Sequence, residues 1–469
     1  MTITFFNTLT ESESDFEPNS KSNVTLYTCG PTVYNYAHIG NLRAYCCEDL
    51  LKRMLEYAGY KVQHIMNITD IEDKIIRGCL SGNIKLNDFT EPYIKAFKED
   101  IALLNIKPAE HYPKASEHIE EIVDIINVLM DKGVAYRGDD GSYYFSIDRY
   151  PEYGILAKLN RQELKTGVRI SHDEYDKEHL YDFALWKAWD EKDGDIYWET
   201  SLGKGRPGWH IECSAMSLKY LGETIDIHMG GVDNIFPHHE NEIAQSEAYT
   251  GKKFVNYWIH CEHLLADGKK MSKSLGNFYT LRDLIAKGYS PLALRYLYIS
   301  NYYRSKLNFT LKALEGANNT LNTLYSFLKR ISKINKQDEI NNGFDEFLEN
   351  TKKQFDEKLF DDLNTPQALA ALFSMISHVN ILADKENFSG NQAKNIIDWL
   401  LKIDSVLALD LGKALEDEVI PEEIENLINE RQTARKNKDF KRADEIRDLL
   451  LSKGITLQDT SQGVIWKKM

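Results

Sequence analysis

At 469 residues, with 42% hydrophobic and 28% charged residues, the chain has the composition of a folded globular protein with ample core, long enough for about two to four domains. A formal net charge of −15 argues against a general nucleic-acid coat protein, although a local basic patch can still meet such a partner. The start, Met-Thr-Ile-Thr-Phe-Phe, has neither a basic region nor a long apolar run, and no apolar stretch approaches membrane-spanning length; a cytoplasmic protein without a signal peptide or membrane anchor is expected.

Val24 to Cys29 reads as a short buried strand that stops at Gly30-Pro31. Leu42, Tyr45, Cys46, Leu50, Met54 and Leu55 then fall at helical spacing, with Gly59 placed to end the helix, and Lys61 to Asn67 reads as a second strand. Strand, helix, strand is a βαβ unit, so the turn between them lies at the carboxyl end of a parallel strand, where the helix start offers unpaired N–H groups to a phosphate. His38 and Asn41 are three apart at that helix start and can face one ligand, with Gly40 between them allowing close approach. Thr69 and Asp70 are placed to cap the next helix, and a substrate contact is the second reading of Thr69.

From Pro108 the pattern changes. Ile119, Ile122, Ile125, Ile126 and Leu129 make a helix face ending near Gly133, and Asp139-Asp140-Gly141 turns into a strand from Tyr143 to Ile147. This region, to about Glu199, reads as an insertion between two halves of a sheet, with Phe183 to Trp189 and Trp198 as packing aromatics. Next come Arg206-Pro-Gly-Trp-His-Ile-Glu-Cys-Ser214 and Asp226 to Glu242, with Pro237 at a first helical position and the helix running to Thr250 before Gly251. A strand around Tyr257 to His260 precedes Asp267-Gly-Lys-Lys-Met-Ser-Lys-Ser274. Beyond Pro291 the pattern is helical: Leu311 to Ile331, a polar loop from Lys333 to Gly343, then helices from Phe344 to about Leu409. The acidic Glu416-Asp-Glu418 before Pro421 marks a last boundary. Past it, Arg431, Arg435, Lys436, Lys438, Lys441, Arg442 and Arg447 crowd one helical segment whose buried stripe is Ala443, Ile446 and Leu450, so the cations are expected to face out.

Three groups of residues carry chemistry. His238 and Glu242 are four apart on a helix and project from one face, and Cys29 and Cys213 add the soft thiolates that Zn²⁺ takes. Taken singly, a cysteine also reads as a small core residue and a helical His/Glu pair as a surface hydrogen bond. His239 competes with His238, but its i+4 neighbour is the apolar Ile243. One ligand lies two residues before the His38 turn and the others in the second half of the sheet, so a metal there stands at the ligand crevice and suits holding a substrate. Lys270-Met-Ser-Lys-Ser274, with Lys273 in it, reads as a phosphate-facing loop. Gly230-Gly231 with Asp233 is compatible with backbone approach to adenine and a carboxylate on ribose.

These segments, in this order, resemble the cysteinyl-tRNA synthetase family, bacterial type, of class I aminoacyl-tRNA synthetases. The likeness is carried by Cys-Gly-Pro-Thr-Val-Tyr at 29–34 with His38-Ile-Gly-Asn41, Arg206 to Ser214, Phe236-Pro-His-His-Glu-Asn-Glu242 and Lys270 to Ser274. Thr200-Ser-Leu-Gly203 and Cys261-Glu262 depart from the commoner pattern without touching the ligand candidates. The resemblance implies an α/β fold: a Rossmann-type parallel sheet split by an insertion, then an α-helical bundle and a small C-terminal mixed α/β domain. The implied segments are 1–107 and 200–250 for the two Rossmann halves, 108–199 for the connective insertion, and 251–310 for the signature loop and tRNA stem contacts. Residues 311–410 would form the bundle and 421–469 the anticodon-binding domain.

The resemblance also implies one zinc on Cys29, Cys213, His238 and Glu242, selecting the cysteine thiolate. Catalysis would rest on His38, Asn41, Lys270 and Lys273, and ATP, with Mg²⁺, on His38, Gly40, Asn41, Gly230, Asp233 and Lys273. Thr69 and Trp209 would contact cysteine. The expected reaction is formation of cysteinyl-adenylate and its transfer to tRNA(Cys) by a monomer. Two alternatives are a related ligase joining cysteine to an amino sugar, which should lack the last domain, and a non-catalytic zinc and tRNA-binding protein, which should lack the His38 or Lys273 motif.

Overall fold

The computed structural model describes residues 2–159, 182–272, 275–336, 343–416, 422–437, 439–452, 455–460 and 463–468. The chain divides into two compact units, Met1–Ala414 and Leu415–Met469.

The first unit opens with a hairpin, β1 (Thr4–Asn7) and β2 (Ser12–Asp15), followed by β3 (Asn23–Thr28), α1 (Ile39–Tyr57) and β4 (Lys61–Met66). Gly59, past the end of α1, has a φ of 99°, a conformation open to glycine at no cost. Helices α2 (Asp73–Gly82) and α3 (Leu86–Leu103) follow. The cap of α2 is Glu72, whose carboxylate accepts from Lys74 N, rather than Thr69 or Asp70. Those two are engaged elsewhere: the Thr69 hydroxyl accepts from Asn67 Nδ2 at 3.1 Å, and Asp70 accepts from Ser116 N at 2.9 Å.

The inserted region packs α4 (Ile119–Asp131) beside a five-stranded antiparallel sheet. Its strands are β5 (Ala135–Arg137), β6 (Tyr143–Phe145), β7 (Phe183–Ala188), β8 (Trp198–Thr200) and β9 (Gly203–Pro207), in the order β5-β6-β7-β9-β8. β6 stops at Phe145, two residues short of the expected Ile147, which begins a short 3₁₀ turn. Phe183, Leu185 and Trp186 are buried in the core, and Trp198 packs against it, so these aromatics are packing residues.

The chain then returns through α5 (Trp209–Leu221), β10 (Ile225–Gly231), α6 (Glu240–Thr250) and β11 (Val255–Cys261). The central sheet is all parallel, in the order β11-β10-β3-β4. Val24, Leu26, Ile225, Ile227 and Met229 are fully buried, as a parallel sheet covered on both faces requires. Thr28 pairs with Met66 on one side and Met229 on the other, so the two halves of the sheet meet at β3 and β10, and a crevice opens beyond their carboxyl ends. Pro237 follows a cis peptide in the turn Ile235–His239 instead of opening the helix, which starts at Glu240; Gly251, with a φ of 73°, closes it as expected.

The unit continues with β12 (Leu264–Ala266), β13 (Lys269–Lys270), α7 (Leu281–Ala286), α8 (Pro291–Ile299) and β14 (Leu307–Phe309). It ends in α9 (Leu311–Ile331), α10 (Phe344–Phe360), α11 (Thr365–Asp384) and α12 (Gly390–Leu407). Helix α11 has 20 residues and is apolar enough by length and composition to cross a membrane, contrary to the sequence reading. Here its Ala368, Leu369, Leu372, Met375, Ile376 and Val379 are buried within the protein. Arg295 on α8 joins this region to the sheet domain, with Nη2 donating to Asp49 of α1 at 2.6 Å and Nε to the Leu407 carbonyl at 2.7 Å.

The second unit holds α13 (Glu422–Lys436), α14 (Phe440–Ser452) and the hairpin β15 (Ile455–Thr460) and β16 (Gly463–Lys468). Ile424, Ile428, Ile446 and Leu450 form its core. The basic stretch is therefore two helices rather than one, because Asp439 accepts from Arg442 N and starts a second helix. Ala443, Ile446 and Leu450 are buried as expected, and Arg435, Lys441, Arg442 and Arg447 are exposed. Arg431 departs from the expectation: it is buried at 5% exposure. Asp417, Glu418, Pro421 and Lys438 lie outside the described residues.

Candidate active site

The crevice at the carboxyl ends of β3 and β10 encloses about 680 Å³. Cys29, one residue past β3, stands at its head, and Gly30 follows where a side chain cannot fit: a Cβ there would sit 1.8 Å from the Asn67 carbonyl oxygen.

His38 caps α1. Its Nδ1 accepts from Gly40 N and Asn41 N, both at 3.1 Å, while Asn41 Oδ1 accepts from His38 N at 3.2 Å. This reciprocal box occupies Nδ1 with acceptance, so the proton of the neutral ring sits on Nε2, which is left to donate. Burial lowers the imidazole from its ordinary value and favours that neutral form. Gly40 and Asn41 line the crevice with His38. One turn farther, Arg43 is buried and donates to the carbonyls of Glu262, His263, Tyr302 and Ser305.

Cys213, on the second turn of α5, comes to the same point, as do His238 and Glu242. One donor atom from each of Cys29, Cys213, His238 and Glu242 lies within 4.8 Å of every other. His238 Nε2 approaches Glu242 Oε1 at 3.1 Å, yet that oxygen has no hydrogen bond among the described residues. Glu242 Oε2 is bonded to His228 Nε2 at 3.1 Å. An orphaned, fully buried carboxylate oxygen facing two thiols and an imidazole is what a shared metal ion would satisfy, so the residues fit the expected zinc. Burial raises the Glu242 carboxyl, but His228 and His238 outweigh it and hold it below the ordinary range. Burial likewise lowers His238, while Cys213 and Glu242 carry it up to about 10.

A second set, Cys29, His228, His239 and Glu242, also meets within 4.8 Å. It shares two residues with the first and offers one thiolate instead of two. His239 is moreover engaged at both ring nitrogens, with Nε2 at 3.3 Å from Cys29 Sγ and Nδ1 at 2.8 Å from His260 Nε2. The first set is the better match for a thiophilic ion.

The Trp209 ring lies 4.5 Å from that of His238, tilted by 34°, and with Thr69 it lines the crevice. Asp233, exposed, and Lys270, on β13, lie on its rim. Gly230 does not reach the crevice surface: it is buried, with the His239 ring 2.9 Å from where a Cβ would stand, while Gly231 next to it does line the crevice. Lys273 lies outside the described residues. The base of its loop is fastened by Asn277, which accepts from Ser272 N at 2.9 Å and donates to the Ala266 carbonyl at 3.2 Å.

Sequence reasoning missed His210, His228 and Glu48. His210 Nδ1 meets His238 Nδ1 at 2.9 Å, and its i+3 spacing to Cys213 on one helix was the available signal. His228 gave only strand alternation on β10. Glu48 lines the crevice from α1, buried, with neither carboxylate oxygen hydrogen-bonded among the described residues. Burial raises its carboxyl well above the ordinary range.

Comparison with known proteins gives three family matches along the chain: tRNA synthetases class I (C) catalytic domain over residues 15–319, a DALR domain over 354–412, and a cysteinyl-tRNA ligase anticodon binding domain over 417–466. A cysteine–tRNA ligase of Brachyspira hyodysenteriae is 49% identical, covering 99% of this chain and 99% of that protein. One from Protochlamydia amoebophila is 46% identical over 99% of this chain and 98% of its own length. Among solved structures, the methionyl-tRNA synthetase of Mycobacterium tuberculosis in complex with methionyl-adenylate superposes with a TM-score of 0.65 at 15% identity, covering 84% of this chain and 93% of that one, a likeness of fold.

Proposed function

The chain belongs to the cysteinyl-tRNA synthetase family of class I aminoacyl-tRNA synthetases, and on that premise we propose that it activates L-cysteine with ATP and Mg²⁺ and passes the cysteinyl group to tRNA(Cys). The observation that carries the reading is the meeting of Cys29, Cys213, His238 and Glu242 in the same crevice as the His38 helix start. These four residues would hold one zinc ion, whose chemistry is to bind the substrate thiolate and so favour cysteine over serine. A site built around such a specific contact can reject the analogue lacking it by about 10⁴–10⁵-fold.

In the first step a cysteine carboxylate oxygen attacks the α-phosphorus of ATP, a P–O bond forms, and pyrophosphate leaves with the electrons of the broken bond. His38 donates from Nε2 to the phosphate oxygens where charge develops, and the start of α1 adds the positive end of its dipole. Lys270 and Lys273 supply cations to the departing pyrophosphate. Trp209 and Thr69 bound the amino-acid side of the crevice, Asp233 takes the ribose hydroxyls, and Gly40 and Asn41 lie against the nucleotide. In the second step a ribose hydroxyl of the terminal adenosine attacks the acyl carbon and gives up its proton, an ester C–O bond forms, the mixed anhydride C–O bond breaks, and AMP leaves with the electrons of that bond. The second unit would bind the anticodon, and the protein would act as a monomer in the cytoplasm.

The test is cysteine-dependent ATP–pyrophosphate exchange with serine as the control, paired with charging of tRNA(Cys). Exchange with cysteine alone, followed by charging, supports the reading. Exchange without tRNA charging would turn it towards a cysteine ligase with another acceptor, and no exchange would leave a binding protein.

A further inference from the structure

The crevice wall carries a pair of thiols that the proposed reaction does not use. Cys47 lies on α1 and Cys261 ends β11, 214 residues away in sequence, and their Sγ atoms stand 3.2 Å apart. Both are buried, at 5% and 3% exposure, and Cys261 lines the crevice, which gives a small solute access to the pair. Neither belongs to the candidate metal set. The Cys261 thiol donates to Cys47 Sγ, and that bond, with the Arg43 and Arg295 guanidinium groups against the opposing effect of burial, holds Cys47 below the ordinary thiol range. The bond to Cys47, together with burial, pushes Cys261 well above it. A thiolate beside a second sulfur is the arrangement that thiol oxidation needs.

We propose that Cys47 and Cys261 are a peroxide-sensitive dithiol that closes to a reversible disulfide, tying the helix that begins at His38 to the end of β11. The thiolate of Cys47 attacks one oxygen of hydrogen peroxide, the O–O bond breaks, and the departing hydroxide takes a proton to leave as water. Cys261 sulfur then attacks the sulfenic sulfur of Cys47; the S–S bond forms, the S–O bond breaks, and hydroxide leaves with the Cys261 proton as a second water. Two thiols are oxidised and one peroxide is reduced. Closing the pair from 3.2 Å to the roughly 2.05 Å of a disulfide draws the two sulfurs about 1 Å together, a movement that the side chains share with α1 and the end of β11. Where that movement reaches the positioning elements, a misplacement of up to about 1 Å can cost as much as about 10²-fold in rate. The inference goes beyond the proposed reaction, and the cross-link itself does not depend on that reading.

The experiment treats the full-length, metal-loaded protein with hydrogen peroxide and maps disulfides by mass spectrometry of unreduced tryptic peptides, with metal content and cysteine-dependent exchange measured in parallel. The expected cross-link joins the peptide of residues 44–52 to that of 254–269. It should form in the wild type and in Cys46→Ser, and be absent from both Cys47→Ser and Cys261→Ser. Metal should be retained, exchange should fall by about tenfold to 10²-fold, and dithiothreitol should restore it. A protein in which peroxide forms no such cross-link overturns the proposal, and so does a cross-link that survives Cys47→Ser and therefore belongs to Cys46. If Cys47→Ser loses exchange as fast as the wild type while releasing metal, the sensitivity belongs to the ligand thiols and the switch is refuted. Should a serine variant fail to fold, the wild type and Cys46→Ser maps decide the cross-link on their own.

Discussion

His210 Nδ1 and His238 Nδ1 face each other at 2.9 Å, both rings buried, so one of them must hold the proton. A metal ion held through His238 Nε2, the nitrogen beside Glu242, would leave the His238 proton on Nδ1 and make His210 the acceptor. His210 therefore orients a metal ligand. Replacing it by leucine should weaken metal affinity by about 10–100-fold. Chelator competition on the folded variant checks this, and an unchanged affinity would remove His210 from the site.

Cys213 gives the next test. Cys213→Ser exchanges a thiolate for a hydroxyl in a set that already has one oxygen ligand, and should deplete the metal and abolish cysteine-dependent exchange while ATP binding persists. Metal analysis and nucleotide titration measure the two effects separately. A Cys213→Ser protein that still selects cysteine over serine would contradict the ligand role.

Asp100 yields a pH dependence. It is buried on α3, neither carboxylate oxygen is hydrogen-bonded among the described residues, and Arg282 Nη2 is 3.4 Å away. Burial, only partly offset by Arg282, pushes its carboxyl up to about 6. Since the folded value lies above the unfolded one, near 3.9, the unfolded chain ionises first. Stability is therefore lost as pH rises between about 4 and 6, with no loss below that window. Asp100→Asn should remove the loss, gaining roughly 1–2 kcal/mol at pH 7 after allowance for solvent screening. Denaturant melts at pH 4 and pH 7 decide it: equal differences at the two pH values would exclude the effect.

The division of the chain at Leu415 gives a truncation test. Removing residues 415–469 should leave cysteinyl-adenylate formation nearly intact and weaken tRNA charging, most strongly at high salt, where the remaining phosphate contacts are screened. Pyrophosphate exchange and charging at two salt concentrations measure this. Normal charging by the truncated protein would show that the second unit does not read tRNA.

Much of this architecture is legible because it is local. The βαβ unit follows from a helical apolar period closed by Gly59, and α9 has the ends its stripe predicted, with Thr310 Oγ1 capping it by accepting from Ala313 N. The His238 and Glu242 spacing is likewise a one-turn relation. The unreadable parts depend on partners far away in sequence. Nothing near His210 says that His238, 28 residues on, will take its nitrogen, and Glu48 reads as one charged residue among many until the fold buries it. Pro237 suited a helix start by local preference, but the chain uses it in the turn before α6. Arg431 seemed an outward cation, but it continues the spacing of the buried Ile424 and Ile428 on α13 and is buried with them.

Arg43 also bears on how the protein is made. Its guanidinium reaches carbonyls as far ahead as Ser305, 262 residues downstream. At a synthesis rate of about 5–20 residues per second, that partner is translated roughly 13–52 s after Arg43 itself. Until then Nη1 can find the Glu262 and His263 carbonyls, but Nη2 lacks those of Tyr302 and Ser305, so a cation destined for full burial is only half received. A pause, a truncation or a misreading anywhere before residue 305 should therefore leave the crevice unfinished even when every residue that lines it upstream has been made.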